Sequence, residues 1–254
     1  ALLLVRMDAV PQGANPLADI IRAEIGDSGP MPFARFMELA LYHPEFGYYE
    51  TDAGQVGREG DFVTSVSVGA VFGQLLAFRF SQWLGAIAGP VRIAEAGAHD
   101  GRLAGDILDW LAANDAPLLA RLTYTLIEPS AKRRNWQAKR LANFADKVDW
   151  CDTLADMTEI RGVIFGNELL DAFPVCRIGW DAAKRDWFEW AVGWHEGAFR
   201  WERLDDEGAT WRPLLPAWPG ELLDVLPDRY TTELSPQANA WWRAAADKVG
   251  LGKL

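Results

Sequence analysis

The sequence predicts an α/β protein built on a doubly wound parallel sheet, with a smaller and partly antiparallel lobe. Three observations predict it. Between residues 90 and 166, short apolar runs alternate with amphipathic helical stretches, the pattern of βαβ units. Two of these runs end in a carboxylate, at Glu95 and Glu128, and strand ends are where such sheets meet ligands. After Pro174 the rhythm shifts to aromatic-rich strands separated by turns, which suits antiparallel pairing.

The elements follow in order. Residues 16–25 place Leu17, Ile20, Ile21 and Ile25 on one helical stripe, with Pro16 suited to the helix start. Pro32–Leu41 repeats that logic with Phe33, Phe36, Met37 and Ala40. Residues 43–67 are turn-rich yet carry Phe46, Tyr48, Tyr49 and Phe62, the composition of a binding loop or lid. Gly69–Ile87 reads as a long helix with Phe72, Leu75, Leu76, Phe80 and Trp83 facing inward. Strands are expected at Val91–Glu95, Leu122–Ile127, Val148–Cys151 and Gly162–Gly166, with helices at Gly101–Ala113 and Pro129–Phe144. Val175–Trp180, Trp187–Trp194 and Ala198–Leu204 read as antiparallel strands, the last two joined by a tight turn at His195-Glu196-Gly197. Thr231–Val249 reads as a terminal helix, and no closing strand is evident after it. The expected division is an N-terminal helical cap and loop over 1–88 and a core over 89–254, with an antiparallel insertion at about 175–230.

Composition narrows the function. The 254 residues carry 25 Lys and Arg against 36 Asp and Glu, a net charge of −11. That argues against a broad nucleic-acid surface, which needs clustered cations. Two cysteines, Cys151 and Cys176, make no framework and read as reduced thiols of a cytoplasmic protein. Three scattered histidines lack metal-ligand spacing, so no metal is expected. The run Ala1–Val5 is too short for a signal or membrane segment and reads as a trimmed end. No stretch reaches membrane-spanning length, so a soluble protein without membrane insertion is expected.

Three constellations carry chemistry. In the first, a strand ends at Glu95 and enters Gly97-Ala-His-Asp-Gly101 before a helix. Glycines there let backbone approach a ligand, and the helix start offers free N–H donors. A packing turn is the competing reading. The second is Glu128, which can take both hydroxyls of a ribose or serve as a first-turn helix charge. The full dinucleotide glycine fingerprint and the P-loop lysine are both missing. A nucleoside without pyrophosphate fits better, and S-adenosylmethionine is one. The third is Asn167-Glu168-Leu-Leu-Asp171 after the fourth strand. A turn of helix would set Glu168 and Asp171 on one side; capping by Asn167 is the alternative.

Five segments together resemble the MidA family of S-adenosylmethionine-dependent methyltransferases. They are Tyr42–Tyr49 (YHPEFGYY), Gly60–Ser65 (GDFVTS), the Glu95–Leu103 turn, Ile127–Ser130 (IEPS) and Asn167–Pro174 (NELLDAFP). The family includes a mitochondrial complex I assembly factor that methylates an arginine. The resemblance implies a Rossmann-like class I methyltransferase sheet with an N-terminal helical cap and an inserted, partly antiparallel lobe. It implies that Glu95, Gly97 and Gly101 frame the methionine end of the cofactor and that Glu128 binds its ribose. Asp61, Thr64 and Ser65 would close over the cofactor, Asp152 would lie near the adenine, and Asn167 and Glu168 would face the methyl group. The implied partner is a protein substrate, such as an assembly client of a respiratory complex.

The expected reaction is methyl transfer to a protein arginine nitrogen, with Glu168, Asp171 and Asn167 as the catalytic candidates. Three departures open a second reading, one being that the chain is expected to end before the family's last strands. His99 stands where the family has a glycine, and Gln74 stands where an acid is common. That reading is a catalytically silent assembly or binding protein that keeps the fold. A small-molecule methyltransferase is a third.

Overall fold

The computed structural model describes residues 15–50, 66, 69–204 and 209–254. They form two compact units. One holds the described residues of 1–51 and 171–239, and the other those of 52–170 and 240–254.

Helix α1 (Pro16–Ser28) opens on Asn15, whose side chain accepts the N–H groups of Leu17 and Ala18 at 3.1 and 3.3 Å. It closes on Gly29 at φ +83°. A two-residue strand β1 (Met31–Pro32) leads into α2 (Phe33–Tyr42). The turn that follows α2 is built by its own residues. His43 Nδ1 accepts the N–H groups of Glu45 and Phe46, both at 3.3 Å, and the Tyr42 hydroxyl donates to the Ala172 carbonyl at 2.8 Å. A Cβ on Gly47 would lie 2.7 Å from the His43 carbonyl oxygen and 2.8 Å from the Tyr42 carbonyl carbon. Gly47→Ala is therefore expected to lower stability by about 1–3 kcal/mol in urea unfolding, because backbone cannot yield as a side chain does.

The second unit begins with α3 (Val71–Gly85). Its buried positions are Gly73, Ala77, Phe80 and Leu84. A Cβ on Gly73 would meet the Asp106 Cβ at 2.5 Å, so only a glycine admits that neighbour. This phase turns Leu75 outward, 63% exposed, against expectation. Phe72, Leu76 and Trp83 pack at the edge of the core. Then come β2 (Val91–Ala96), α4 (Arg102–Asn114), α5 (Ala116–Ala120), β3 (Leu122–Ile127), α6 (Ala131–Arg140), β4 (Val148–Cys151) and β5 (Ile160–Gly166).

The chain next forms β6 (Cys176–Asp181), β7 (Asp186–His195), β8 (Ala198–Leu204), α7 (Gly220–Val225) and β9 (Thr231–Leu234). Helix α8 (Pro236–Lys248) and strand β10 (Val249–Lys253) end it. Residues 231–234 thus pair with β6 as a strand, and only the remainder of the expected terminal helix is helical. The last residues supply the closing strand that the sequence did not reveal. Val249-Gly-Leu-Gly-Lys253 has little intrinsic strand character, and its pairing with β5 sets its conformation.

The parallel sheet has the order β10-β5-β2-β3-β4. Both faces are covered, as a parallel sheet requires. Val91 and Ile93 of β2 point to the face where Phe80, Leu84, Ile107 and Leu111 pack. Ala94 and Ala96 point to the opposite face, with Ile160, Ile164, Trp241 and Ala245. Trp241 is packed there, whereas Trp242 is 49% exposed. None of the described helices is long and apolar enough to cross a membrane.

The antiparallel sheet runs β1-β7-β6-β9, with β8 also paired to β7. One cluster joins Val192, Trp194 and Phe199 to Ile21 and Leu39 of the N-terminal helices. A second gathers Ile178, Trp180, Trp187 and Trp211. Positive φ at Glu196 and Gly197 gives the tight turn expected between β7 and β8.

Candidate functional site

The order of the parallel sheet places β5 beside β2, although β3 and β4 lie between them in sequence. Sheet growth reverses at that point, and the carboxyl ends of strands at such a reversal are where open α/β sheets meet their ligands. Ala96 pairs with Ile127 on one side and with Gly166 on the other. The ends of β2, β3 and β5 therefore share one level.

Glu95 is 2% exposed, and its Oε2 accepts the Tyr124 hydroxyl at 2.6 Å. Burial pushes its carboxyl up to about 7 despite that bond, with the Asp100 charge adding to the rise. The same burial and the Glu95 charge hold the Tyr124 phenol well above its ordinary range, so it stays a donor. The turn beyond β2 has positive φ at Gly97 (+75°), His99 (+47°) and Gly101 (+82°). Two of these are glycine for the usual steric reason. His99 bears a local cost of about 1–2 kcal/mol in that region. Its ring lies beside Trp136, 6.1 Å between centroids, and burial lowers its pKa. Gly101 caps α4 with no side-chain cap, while Asp100 Oδ1 accepts the Arg102 N–H at 3.0 Å.

Glu128 follows β3 and is 3% exposed. Its Oε1 accepts the Ser130 N–H and Arg133 Nε, both at 2.9 Å. Its Oε2 accepts Gln137 Nε2 at 3.3 Å. Gln137 also donates to the His99 carbonyl at 2.9 Å, and its Oε1 accepts Trp150 Nε1 at 2.9 Å. Asp152, beyond β4, pairs with Arg134, which donates as well to the Glu128 carbonyl.

Beyond β5, Asn167 is half-buried and Glu168 exposed. Glu168 holds φ +51°, a strained value for a side-chain-bearing residue. Leu169 then reaches back over two glycines. A Cβ on Gly97 would stand 3.1 Å from Leu169 Cδ1, and one on Gly166 would stand 2.9 Å from Leu169 Cδ2. Asp171 is exposed, in a single 3-10 turn over Leu170–Ala172. That turn begins after Glu168, so the expected helical turn carrying both acids does not form; the left-handed backbone at Glu168 prevents it.

The structure thus gathers Glu95, Gly97, Gly101 and Glu128 around the ends of β2 and β3, with Asp152 joined to Glu128 through Arg134. Asp61, Thr64 and Ser65 lie outside the described residues. Sequence reasoning missed Tyr124, Arg133, Gln137, Trp150 and Leu169. Residues 132–140 are rich in Lys and Arg, yet Gln137 is fully buried and Arg133 pairs with the buried Glu128. The four-residue spacing of Arg133 and Gln137, on one helix face, was the usable signal. Cys151 and Cys176 are free thiols, and burial raises both, Cys176 to about 11. Among the described residues, no group of three or more His, Cys, Asp or Glu is arranged to hold a metal.

Residues 75–254 match the family model described as "Putative S-adenosyl-L-methionine-dependent methyltransferase". The chain belongs to that family. The MidA resemblance is borne out, and so is the Rossmann-like class I methyltransferase fold. Similar curated proteins include the protein arginine methyltransferase NDUFAF7 homolog of Drosophila melanogaster, 28% identical over 87% of this chain and 56% of its own length. Human NDUFAF7 is 34% identical over 63% of this chain and 42% of its own. The chain spans about half the length of these relatives. A Burkholderia thailandensis protein, crystallised bound to S-adenosyl-homocysteine, superposes with a TM-score of 0.78 at 31% identity. That match covers 96% of this chain and 64% of the other. The curated relatives are named as mitochondrial, which overturns the cytoplasmic location expected from the cysteines. Free thiols report a reducing environment, not the compartment that provides it.

Proposed function

We propose that this chain transfers a methyl group from S-adenosylmethionine to a nitrogen atom, with a protein arginine as acceptor. The observation that carries the reading is the reversal of the parallel sheet between β2 and β5, with Glu95, Gly97, Gly101 and Glu128 at the strand ends. The residues present fit an adenosyl ligand. Glu128 Oε2 has one long described bond, 3.3 Å from Gln137, and so keeps acceptor capacity for a ribose hydroxyl. Gly97 offers backbone without a Cβ, and what covers it is the flexible end of Leu169. Relatives named as arginine methyltransferases support the acceptor class.

When bound, S-adenosylmethionine supplies a methyl group already activated on a sulfonium. The chain's part is to position the acceptor and exclude water. Arginine stays protonated and is a weak nucleophile until it is aligned. The exposed carboxylate of Glu168 suits a guanidinium, because two parallel N–H···O bonds fix which nitrogen faces the methyl group. Asn167 and Asp171, on either side of it in sequence, are the further candidates. Asp61, Thr64 and Ser65 are assigned to closure over the cofactor, and Asp152 to the adenine end. The net charge of −11 favours encounter with a basic segment of a protein client, and an assembly client of a respiratory complex fits that description.

Glu168→Gln is expected to hold cofactor affinity within about twofold and to cut turnover on an arginine peptide by about 100-fold. Unchanged turnover would remove Glu168 from the mechanism. The second reading, a silent binding protein, draws on Leu169 lying over Gly97 and Gly166. Thermal unfolding with S-adenosylhomocysteine separates the two. Ligand at 100 times its Kd adds about 2.7 kcal/mol, and no shift at millimolar ligand would favour the silent protein.

A further inference from the structure

We propose that Gln137 is a positioning residue of the cofactor site, holding the glycine turn, Glu128 and the end of β4 in one arrangement. The inference rests on the reading that this rim binds S-adenosylmethionine. Gln137 is fully buried in the middle of a helix rich in Lys and Arg. Its amide is spent wholly on three elements of the rim. Nε2 donates to the His99 carbonyl at 2.9 Å and to Glu128 Oε2 at 3.3 Å; Oε1 accepts Trp150 Nε1 at 2.9 Å. Its own Cα closes the floor under Gly101, 3.4 Å from where a Cβ would stand.

The network leaves one orientation for this amide. An indole nitrogen only donates, so the oxygen must face Trp150. A carbonyl and a carboxylate only accept, so the nitrogen must face His99 and Glu128. No other side chain of that length supplies one acceptor and two donors in this order. Glutamate has the same shape but would set a second carboxylate against Glu128. Methionine keeps the volume and loses all three bonds. The positioning is specific: the bond to Glu128 Oε2 aims the acid, and the bond to His99 holds the turn at its positive φ.

Titration calorimetry of the full chain with S-adenosylhomocysteine tests this. Gln137→Met is expected to raise Kd about tenfold, the worth of one or two net hydrogen bonds, with stoichiometry near one. Gln137→Glu is expected to raise Kd about 100-fold at pH 8. At pH 5, where a protonated carboxyl can again donate, its Kd should return to within about fivefold of the wild type at that pH. Both proteins carry the same neighbours, His99, Glu128, Arg133 and Arg134 among them, and each variant is compared with the wild type at the same pH. Trp150→Phe removes one donor with less burden on folding and should raise Kd about threefold. A merely structural glutamine would lower stoichiometry or melting temperature while Kd and its pH ratio stayed level, and that result overturns the proposal. Variants that bind like a binding-competent wild type overturn Gln137 alone. A wild type that does not bind overturns the cofactor reading and this inference with it.

Discussion

Glu95→Gln is expected to gain about 3 kcal/mol of stability over the wild type between pH 4.5 and pH 8. The cause is the burial of this carboxyl, which lifts it from 4.5 to about 7. Between those two values the folded chain keeps a proton that the unfolded chain has released. The folded state binds more protons there, so wild-type stability falls as pH rises through the window and levels above it. Glutamine has no proton to lose, yet its carbonyl oxygen can accept the Tyr124 hydroxyl as Glu95 Oε2 does at 2.6 Å. Every other titrating group is shared, so the difference between the two urea-unfolding series isolates Glu95. Parallel series across that range would show that Glu95 is hydrated or paired more strongly than its burial implies.

Glu128→Ala is expected to cost about 3 kcal/mol, because buried donors lose a charged acceptor. Arg133 is 13% exposed at its side chain and Glu128 is 3% exposed, so water does not replace the lost acid. The Ser130 N–H and Gln137 Nε2 each lose their bond to this acid in the same step, while Nε2 keeps the His99 carbonyl. Urea unfolding measures the loss. The double variant Glu128→Leu with Arg133→Met should recover most of it, since removing both charges also removes the cost of burying them. Affinity for S-adenosylhomocysteine should remain at least about tenfold weaker in that double variant, because a ribose still has no carboxylate to meet. Recovery of stability together with affinity would mean that Glu128 serves folding alone.

The parallel core was legible in the sequence because burial on both faces demands continuous apolar runs. Val163–Phe165 is such a run inside β5, whereas Leu122–Ile127 and Val148–Cys151 were legible from their β-branched and aromatic residues. The carboxylates at Glu95 and Glu128 were legible as interruptions of apolar stretches, although both are buried and Glu95 lies within β2 itself. Leu75 was misjudged because periodicity defines a face but not which helix meets it, and Gly73 determines that. Gln137 was hidden because a polar residue among lysines and arginines reads as solvated until its partners are known. Glu168 and Asp171 were paired on the assumption of a helical turn, which a positive φ at Glu168 breaks.

Local order in the chain was sufficient for the fold class, the strand and helix alternation and the acids near the strand ends, since each follows from the periodicity of apolar and polar residues. Contacts between distant segments were needed for the rest. Strand β10 exists because β5 offers it an edge, and α1 and α2 pack on a sheet made more than 130 residues later. The amide of Gln137 has a direction only because His99, Glu128 and Trp150 converge on it. Hydrogen-bond partners and packing neighbours are chosen in three dimensions, where sequence spacing carries no distance.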